Sequence, residues 1–215
     1  MIAVRLLALI AALALGVHAA RAEARWSVSA SLGAAWNLPT PLTIRQAGFG
    51  DLRVKARYDG QPFRRPWYYA LRVGRTDRGR GWALAFVHHK LHLRNPPAGV
   101  EEFSVSHGFN LLIVERSWHE RGVRRSLGCG LVIAHPENVV RGRKLAERGG
   151  LFGGGYHASV ALLTAALGRD VPLRGRWFLP LEGRATAAWA RVPVVDGDAS
   201  VPNLALHVLA GIGWR

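Results

Sequence analysis

Alternation of apolar residues with small or polar ones is the feature that most constrains the fold of this chain. In RWSVSASLGAAW, residues 25–36, every even position from Trp26 to Trp36 is apolar, and the odd positions from 27 onward carry serine, glycine or alanine. In NLALHVLAGIGWR, residues 203–215, the even positions up to Trp214 are apolar again. A period of two places such residues on one face of a β-strand. The sequence therefore predicts β-strands with one apolar face at both ends of this region.

The same alternating pattern recurs between these two segments and predicts an all-β chain. The eight predicted strands are 25–36, 66–75, 82–93, 102–118, 126–135, 156–167, 176–192 and 203–215. Two further short runs, 42–47 and 51–58, lie on either side of Gly48-Phe49-Gly50 and predict a small extra hairpin that is too basic to lie in lipid. The last strand ends one residue past an aromatic, which favours pairing with the first strand in a closed barrel.

The connections between these strands alternate in length. Three short ones, 75–81, 119–125 and 168–175, fall on one side of the predicted sheet. The longer segments fall on the other side: 37–65 with the extra hairpin, 94–101, 136–154 and 193–202. Short turns on one side and long loops on the other are typical of an eight-stranded antiparallel up-and-down barrel that crosses an outer membrane.

The eight tryptophans lie at or near the predicted strand ends, where amphipathic rings settle at a membrane interface. The alternative is a soluble periplasmic barrel that binds an apolar ligand and buries its tryptophans in the core. These two folds place the tryptophan rings on opposite sides of the wall.

The N-terminal segment has the order of a secretory signal peptide. Arg5 precedes an apolar run over 6–17, and Ala20-Arg21-Ala22 follows as a cleavage pattern. We therefore expect residues 1–22 to be a signal peptide and 23–215 to be one outer-membrane barrel domain. With a formal net charge of +15, we expect an anionic envelope partner such as lipopolysaccharide, and no nucleic acid.

The eight-strand pattern, together with the runs FRRPWYYALRV, GWALAFVHHKLHL and FSVSHGFNLL, resembles the small outer-membrane β-barrel proteins of Gram-negative bacteria. That resemblance implies outer-membrane residence. The group includes structural proteins, adhesins and lipid A modifying enzymes of the deacylase and oxidase types, so the resemblance alone implies no activity. The deacylase type works through a His and a Ser on the lipid-facing wall. Here Ser104 and Ser106 stand at odd separations from His107 and fall on the opposite face.

Two histidines fall within predicted apolar rows. His88 continues the row of Trp82, Leu84 and Phe86, and His107 aligns with the odd-numbered apolar residues of the next strand, from Phe103 to Ile113. A turn centred on 95–99 predicts that His88 and His107 lie opposite each other as a cross-strand pair. Such a pair could perform acid–base chemistry or hold a metal, with further ligands drawn from Glu101, Glu102 or His92.

A second candidate site is HPEN, where His135 ends a predicted strand and Glu137 follows Pro136. The proline restricts the backbone and holds two titratable groups close together at the external rim. Tyr156 and His157 begin the strand after the long loop and are expected to approach them. The basic residues of that loop are candidates for gripping lipid phosphates: Arg141, Arg143, Lys144 and Arg148.

Inside the barrel, we expect a polar network rather than a channel, because an eight-stranded interior is just wide enough for side chains to fill. The residues predicted to point inward are Arg72, His89, Asn110, Glu182, Arg184 and His207. The sequence favours a structural or ligand-binding outer-membrane barrel, with a lipid A modifying enzyme as the alternative. It names no cofactor and decides neither metal dependence nor activity.

Overall fold

The computed structural model of the chain describes residues 25–105, 107–146, 148–151 and 153–215. The predicted signal peptide, residues 1–22, lies outside them. Within the described ranges no helix is long and apolar enough to cross a membrane. The strands, in chain order, are β1 Arg25–Leu38, β2 Thr40–Gln46, β3 Leu52–Ala56, β4 Tyr58–Asp59, β5 Tyr69–Asp77, β6 Arg80–His88, β7 Leu91–Leu93, β8 Val100–Val105, β9 Phe109–Glu120, β10 Val123–Ala134, β11 Glu137–Val140, β12 Arg143–Lys144, β13 His157–Pro172, β14 Trp177–Val194 and β15 Gly197–Trp214.

Eight of these strands form a closed antiparallel barrel, as the sequence predicts. Their order around the wall is β1, β5, β6, β9, β10, β13, β14 and β15. Closure comes from the pairing of β15 with β1, which runs from Val28 opposite Trp214 to Leu38 opposite Leu204. The alternating sequences at the two ends of the barrel domain thus meet, and neither of these strands is left with an unpaired edge along that stretch.

The exterior of this barrel carries the apolar rows. All eight tryptophans are exposed, from 38% for Trp214 to 62% for Trp26, so the wall does not bury them as a soluble barrel core would. Five of them surround the end with the short turns, namely Trp26, Trp82, Trp118, Trp177 and Trp214, whereas Trp36 and Trp189 lie toward the opposite end. Exposed leucines, valines and isoleucines occupy the band between them. An apolar band bounded by aromatic residues is the exterior of an outer-membrane type barrel.

The longer connections fold into a cap over one end of the barrel. The hairpin of β2 and β3 extends the wall by pairing with the first residues of β15, from Gly197 opposite Gln46 to Ser200 opposite Thr43. A second sheet has the order β12, β11, β8, β7, β4. Apolar side chains that are almost fully buried connect the two sheets into one core with the upper wall: Leu42, Ile44, Phe103, Val105, Val140, Val192 and Val201.

Two predicted loops are wrong in detail. The segment 193–202 is not a long connection, because β14 and β15 continue through it and leave a turn of two residues, Val195 and Asp196. Valines and alanines of this segment pack into the cap core, so the alternation that predicts a strand continues beyond the membrane band. The segment 136–154 contains β11 and β12, which pair with each other, and β11 also pairs with β8.

The predicted facing of one strand is also wrong. Phe109, Leu111 and Ile113 were expected to face lipid, but they are fully buried on the inner side of β9, while Leu112 and Val114 face outward. Phe103 and Val105 belong to β8 in the cap, not to the barrel wall. The error arises because the run Leu111-Leu112-Ile113-Val114 is apolar on both faces of β9, so the alternation does not show which face points inward.

Ion pairs fill the barrel interior toward the short-turn end. They form a chain of salt bridges: Arg72–Glu115, Glu115–Arg184, Arg184–Glu182, Glu182–Arg124 and Arg124–Asp170. A cavity of about 20 Å³ remains beside them, which is room for about one water molecule. This interior contains Arg72, Glu182 and Arg184 of the predicted polar network.

Candidate functional site

Two breaks in the chain lie side by side where the barrel wall meets the cap. One lies between Val105, the last residue of β8, and Phe109, the first of β9, and the other separates β10 from β11 at His135 and Pro136. The breaks are neighbours because Ala134 pairs with Phe109 below them and Glu137 pairs with Ser104 above them. Across the gap, the backbone N–H of His135 donates to the carbonyl oxygen of Gly108 at 3.0 Å.

Gly108 makes this geometry possible. Its φ of +129° is in a region that side chains disfavour, and a Cβ atom there would lie 2.2 Å from the side-chain amide nitrogen of Asn110. The chain therefore turns at Gly108 and leaves His107 directed toward the neighbouring break.

His107, His135 and Glu137 form one cluster at this junction. The Nδ1 atom of His107 contacts Oε1 of Glu137 directly. The rings of His107 and His135 lie 5.2 Å apart, centroid to centroid, in an edge-to-face arrangement. One ligand-type atom from each of the three residues falls within 4.8 Å of the other two. The structure thus joins residues that the sequence placed in two separate candidate sites.

The cluster has a buried side and an open side. His135 is only 6% exposed, and its Nδ1 atom has no hydrogen-bond partner among the described residues. The side chain of His107 is 56% exposed. Tyr156 packs its ring 4.7 Å from that of His135, as the sequence anticipated. At the cap end of β13, outside the apolar band, burial and the nearby His135 hold the pKa of His157 below its ordinary value.

His88 does not pair with His107, so that prediction is wrong. Val87 lies opposite Leu111 in the pairing of β6 with β9, which places Asn110 beside His88. The Nδ1 atom of His88 is 2.7 Å from Oδ1 of Asn110, and its ring stacks on Tyr69 at 5.1 Å. Asn110 therefore belongs to the outward row and not to the interior, contrary to expectation.

The other proposed ligands lie outside the cluster. Among the described residues, the group with ligand atoms close enough to share an ion does not include Glu101, Glu102 or His92. His92 lies in β7, where it pairs with Ser104 on one side and Asp59 on the other. Glu102 pairs with Val139, farther along β11.

The basic residues of the 136–154 loop are partly engaged within the protein. Arg141 donates to Oε1 of Gln46 and to the carbonyl oxygen of Gly50, both at 2.7 Å, and its guanidinium lies over Phe49. Arg143 forms an ion pair with Asp196 at 2.6 Å. These contacts tie the β11–β12 turn to the tips of its two neighbouring hairpins. Two more basic residues of the loop, Lys144 and Arg148, are exposed.

Comparisons with known proteins find structures of similar shape but no related sequence. No protein-family model matches the chain, and a search of curated proteins finds no match. Solved structures of outer-membrane proteins are among those similar to it. Neisserial surface protein A has 11% identity and a TM-score of 0.44 over 90% of this chain and 99% of its own. The outer-membrane protein AlkL in lipid bilayers has 11% identity and a TM-score of 0.47, covering 93% of each chain. Ail of Yersinia pestis, in complex with the heparin analogue sucrose octasulfate, has 10% identity and a TM-score of 0.39 over 88% of this chain and 99% of its own. With such low identities and TM-scores, these likenesses assign neither a family nor a ligand.

Proposed function

We propose that the protein is an outer-membrane β-barrel that chemically modifies lipid A of lipopolysaccharide at its external rim. The cluster of His107, His135 and Glu137 carries the proposal. Two imidazoles and a carboxylate at this spacing can transfer a proton or hold a metal ion, and they open to solvent through His107. The cluster lies where the wall strands leave the apolar band.

The position of the cluster supports lipid A as the substrate. An exported barrel with an apolar exterior has the outer membrane as its destination, and the end with the longer connections faces outward in such barrels. Lipid A occupies the external leaflet there. Its phosphorylated sugars lie at the level of the rim, so a reactive group on the rim meets them without removing the lipid from the membrane.

The ion pairs that cross the interior argue against a transport role. The salt bridges of Glu115 and Glu182 cross the lumen, and the cavity beside them has room for about one water molecule. The chemistry therefore belongs to the surface of the barrel.

The test is a mass comparison of extracted lipid A. A strain that lacks the protein is complemented with the wild type, with His135→Ala, or with His119→Ala as a matched histidine control at the opposite end of β9. We expect the wild type and the control to restore a lipid A species that His135→Ala does not. Loss of an acyl chain would identify hydrolysis, and gain of oxygen would identify oxidation. Identical spectra in all strains would overturn the proposal, provided each barrel migrates as a folded band on an unheated gel.

A second candidate is non-catalytic binding of lipopolysaccharide by the cap. The exposed Arg143 and Lys144 of β12, together with the net charge of +15, favour it. It predicts that binding weakens as salt rises, because salt screens exposed charges. It also predicts that this binding survives His135→Ala and falls when Lys144 and Arg148 are both replaced by Gln.

A further inference from the structure

We infer that His107, His135 and Glu137 form a binding site for one divalent transition-metal ion. The inference deepens the proposed function, on which its catalytic meaning rests, because it names the cofactor of the same cluster. Metal binding itself can be measured without any activity.

The donor set fits a transition metal. Imidazole nitrogen suits zinc and iron, whereas magnesium and calcium prefer oxygen ligands. Two histidines and one carboxylate are the protein ligands of catalytic zinc sites and of non-haem iron sites, and in both cases further coordination positions stay open for water or substrate.

The spacing requires only small movements. Ligand atoms at about 2.0–2.2 Å from a metal ion lie about 3–3.5 Å from one another. The three atoms here already fall within 4.8 Å of each other. His107 and Glu137 contact each other directly, so an ion would enter between them and bond to both.

His135 supplies the second, independent observation. The residue is only 6% exposed, and its Nδ1 atom has no hydrogen-bond donor or acceptor among the described residues. A buried polar nitrogen without a partner is costly in a folded protein. A metal ion bonded to this nitrogen would remove that cost.

The surroundings hold the ligands in place. The N–H of His135 is bonded to Gly108, which fixes the gap between the two strand breaks. Tyr156 packs against the His135 ring, and the pairing of Glu137 with Ser104 fixes the start of β11. Hydrogen bonds therefore hold the backbone near the ligands in both strand breaks, as a preformed site requires.

Calorimetry with Zn²⁺ tests the inference on the metal-free, folded barrel in detergent. We expect one site in the wild type that an excess of Mg²⁺ or Ca²⁺ does not occupy. His135→Ala, His107→Ala and Glu137→Gln should each weaken binding by more than the roughly 10–100-fold that loss of an outer-shell partner costs. The control His119→Ala should bind Zn²⁺ like the wild type.

A second measurement does not depend on whether the variants fold. Electron paramagnetic resonance of wild-type protein loaded with one equivalent of Cu²⁺ should show coupling to two imidazole nitrogens. Absence of nitrogen coupling, or zinc binding that persists in both His135→Ala and Glu137→Gln, would overturn the inference. Metal binding with unchanged lipid A would refute the proposed function alone, and lipid A modification by protein that binds no metal would refute this inference alone.

Discussion

Replacing Glu115 by glutamine should be among the most destabilising single changes in the barrel. Glu115 is fully buried and carries two ion pairs, one to Nε of Arg72 at 3.1 Å and one to Arg184. Glutamine keeps the shape but removes the negative charge. Arg184 would retain Glu182 at 2.8 Å, whereas Arg72 has no other ion pair among the described residues.

The expected cost follows from leaving a guanidinium in the lumen without its counter-charge. Breaking a buried ion pair by removing one partner typically costs about 3–5 kcal/mol, because the remaining charge stays desolvated. We therefore expect Glu115→Gln to lower the free energy of unfolding by about 3–5 kcal/mol. Adding Arg72→Met to this variant should recover part of the loss, because the uncompensated charge is then gone.

Glu120 provides the matched control on the same strand. It pairs with Arg125 at 3.5 Å, and both side chains are more than half exposed. An exposed pair of this kind contributes about 0–1 kcal/mol, so Glu120→Gln should leave the free energy of unfolding nearly unchanged.

The assay is equilibrium unfolding in guanidinium chloride, with the barrel folded in phospholipid vesicles and the midpoint and slope both fitted. A loss below about 1 kcal/mol for Glu115→Gln would refute this reasoning, since that is the range of an exposed pair. A Glu115→Gln, Arg72→Met variant less stable than Glu115→Gln alone would refute the charge argument in particular.

Two further experiments test the barrel interior and the lipid-facing wall. Tyr68, directly before β5, is hydrogen-bonded to Nδ1 of His207 at 2.6 Å. Because Tyr68→Phe leaves this buried nitrogen without its partner, we expect the free energy of unfolding to fall by about 1–3 kcal/mol in the same titration. Cys129 is the only cysteine of the chain and faces outward in the apolar band beside the exposed Leu127, so a membrane-impermeant maleimide should label it only after denaturation. Full labelling in intact membranes would contradict a lipid-facing position.

The wall could be predicted from the sequence because its signal is local. Alternation with a period of two follows from strand geometry, so the faces of β1 and β15 need no knowledge of their neighbours. The same parity correctly placed Arg72, Glu182 and Arg184 inside. Closure between the first and last strands followed from the need to leave no edge.

The inward position of Glu115 was not predicted because the sequence of β9 does not show which of its faces points inward. It follows the run Leu111-Leu112-Ile113-Val114, which is apolar on both faces, since one face packs inside the barrel and the other faces outward. No alternation remains to assign the faces, so the prediction placed the wrong set of side chains in lipid. Glu115 itself indicates the correct assignment, because a carboxylate on the lipid face would be costly, so the odd-numbered residues of this strand must face inward.

The site was only half predicted because it depends on non-local register. His135 and Glu137 are separated in the sequence only by Pro136, whereas His107 joins them through the pairing of β8 with β11. The sequence predicted one continuous strand over 102–118, and this strand would pair His107 with His88. Gly108 was the one local sign of a break.

The paired breaks at the rim bring His107, His135 and Glu137 together. An unbroken wall would continue its ladder of hydrogen bonds past Ala134 and Phe109, whereas here the backbone N–H of His135 donates to the carbonyl oxygen of Gly108 across the gap. Irregularities of this kind in a sheet re-aim side chains and are common next to functional sites. The break turns His107 out of the wall and toward Glu137, where an uninterrupted strand would have left it in a row of the sheet.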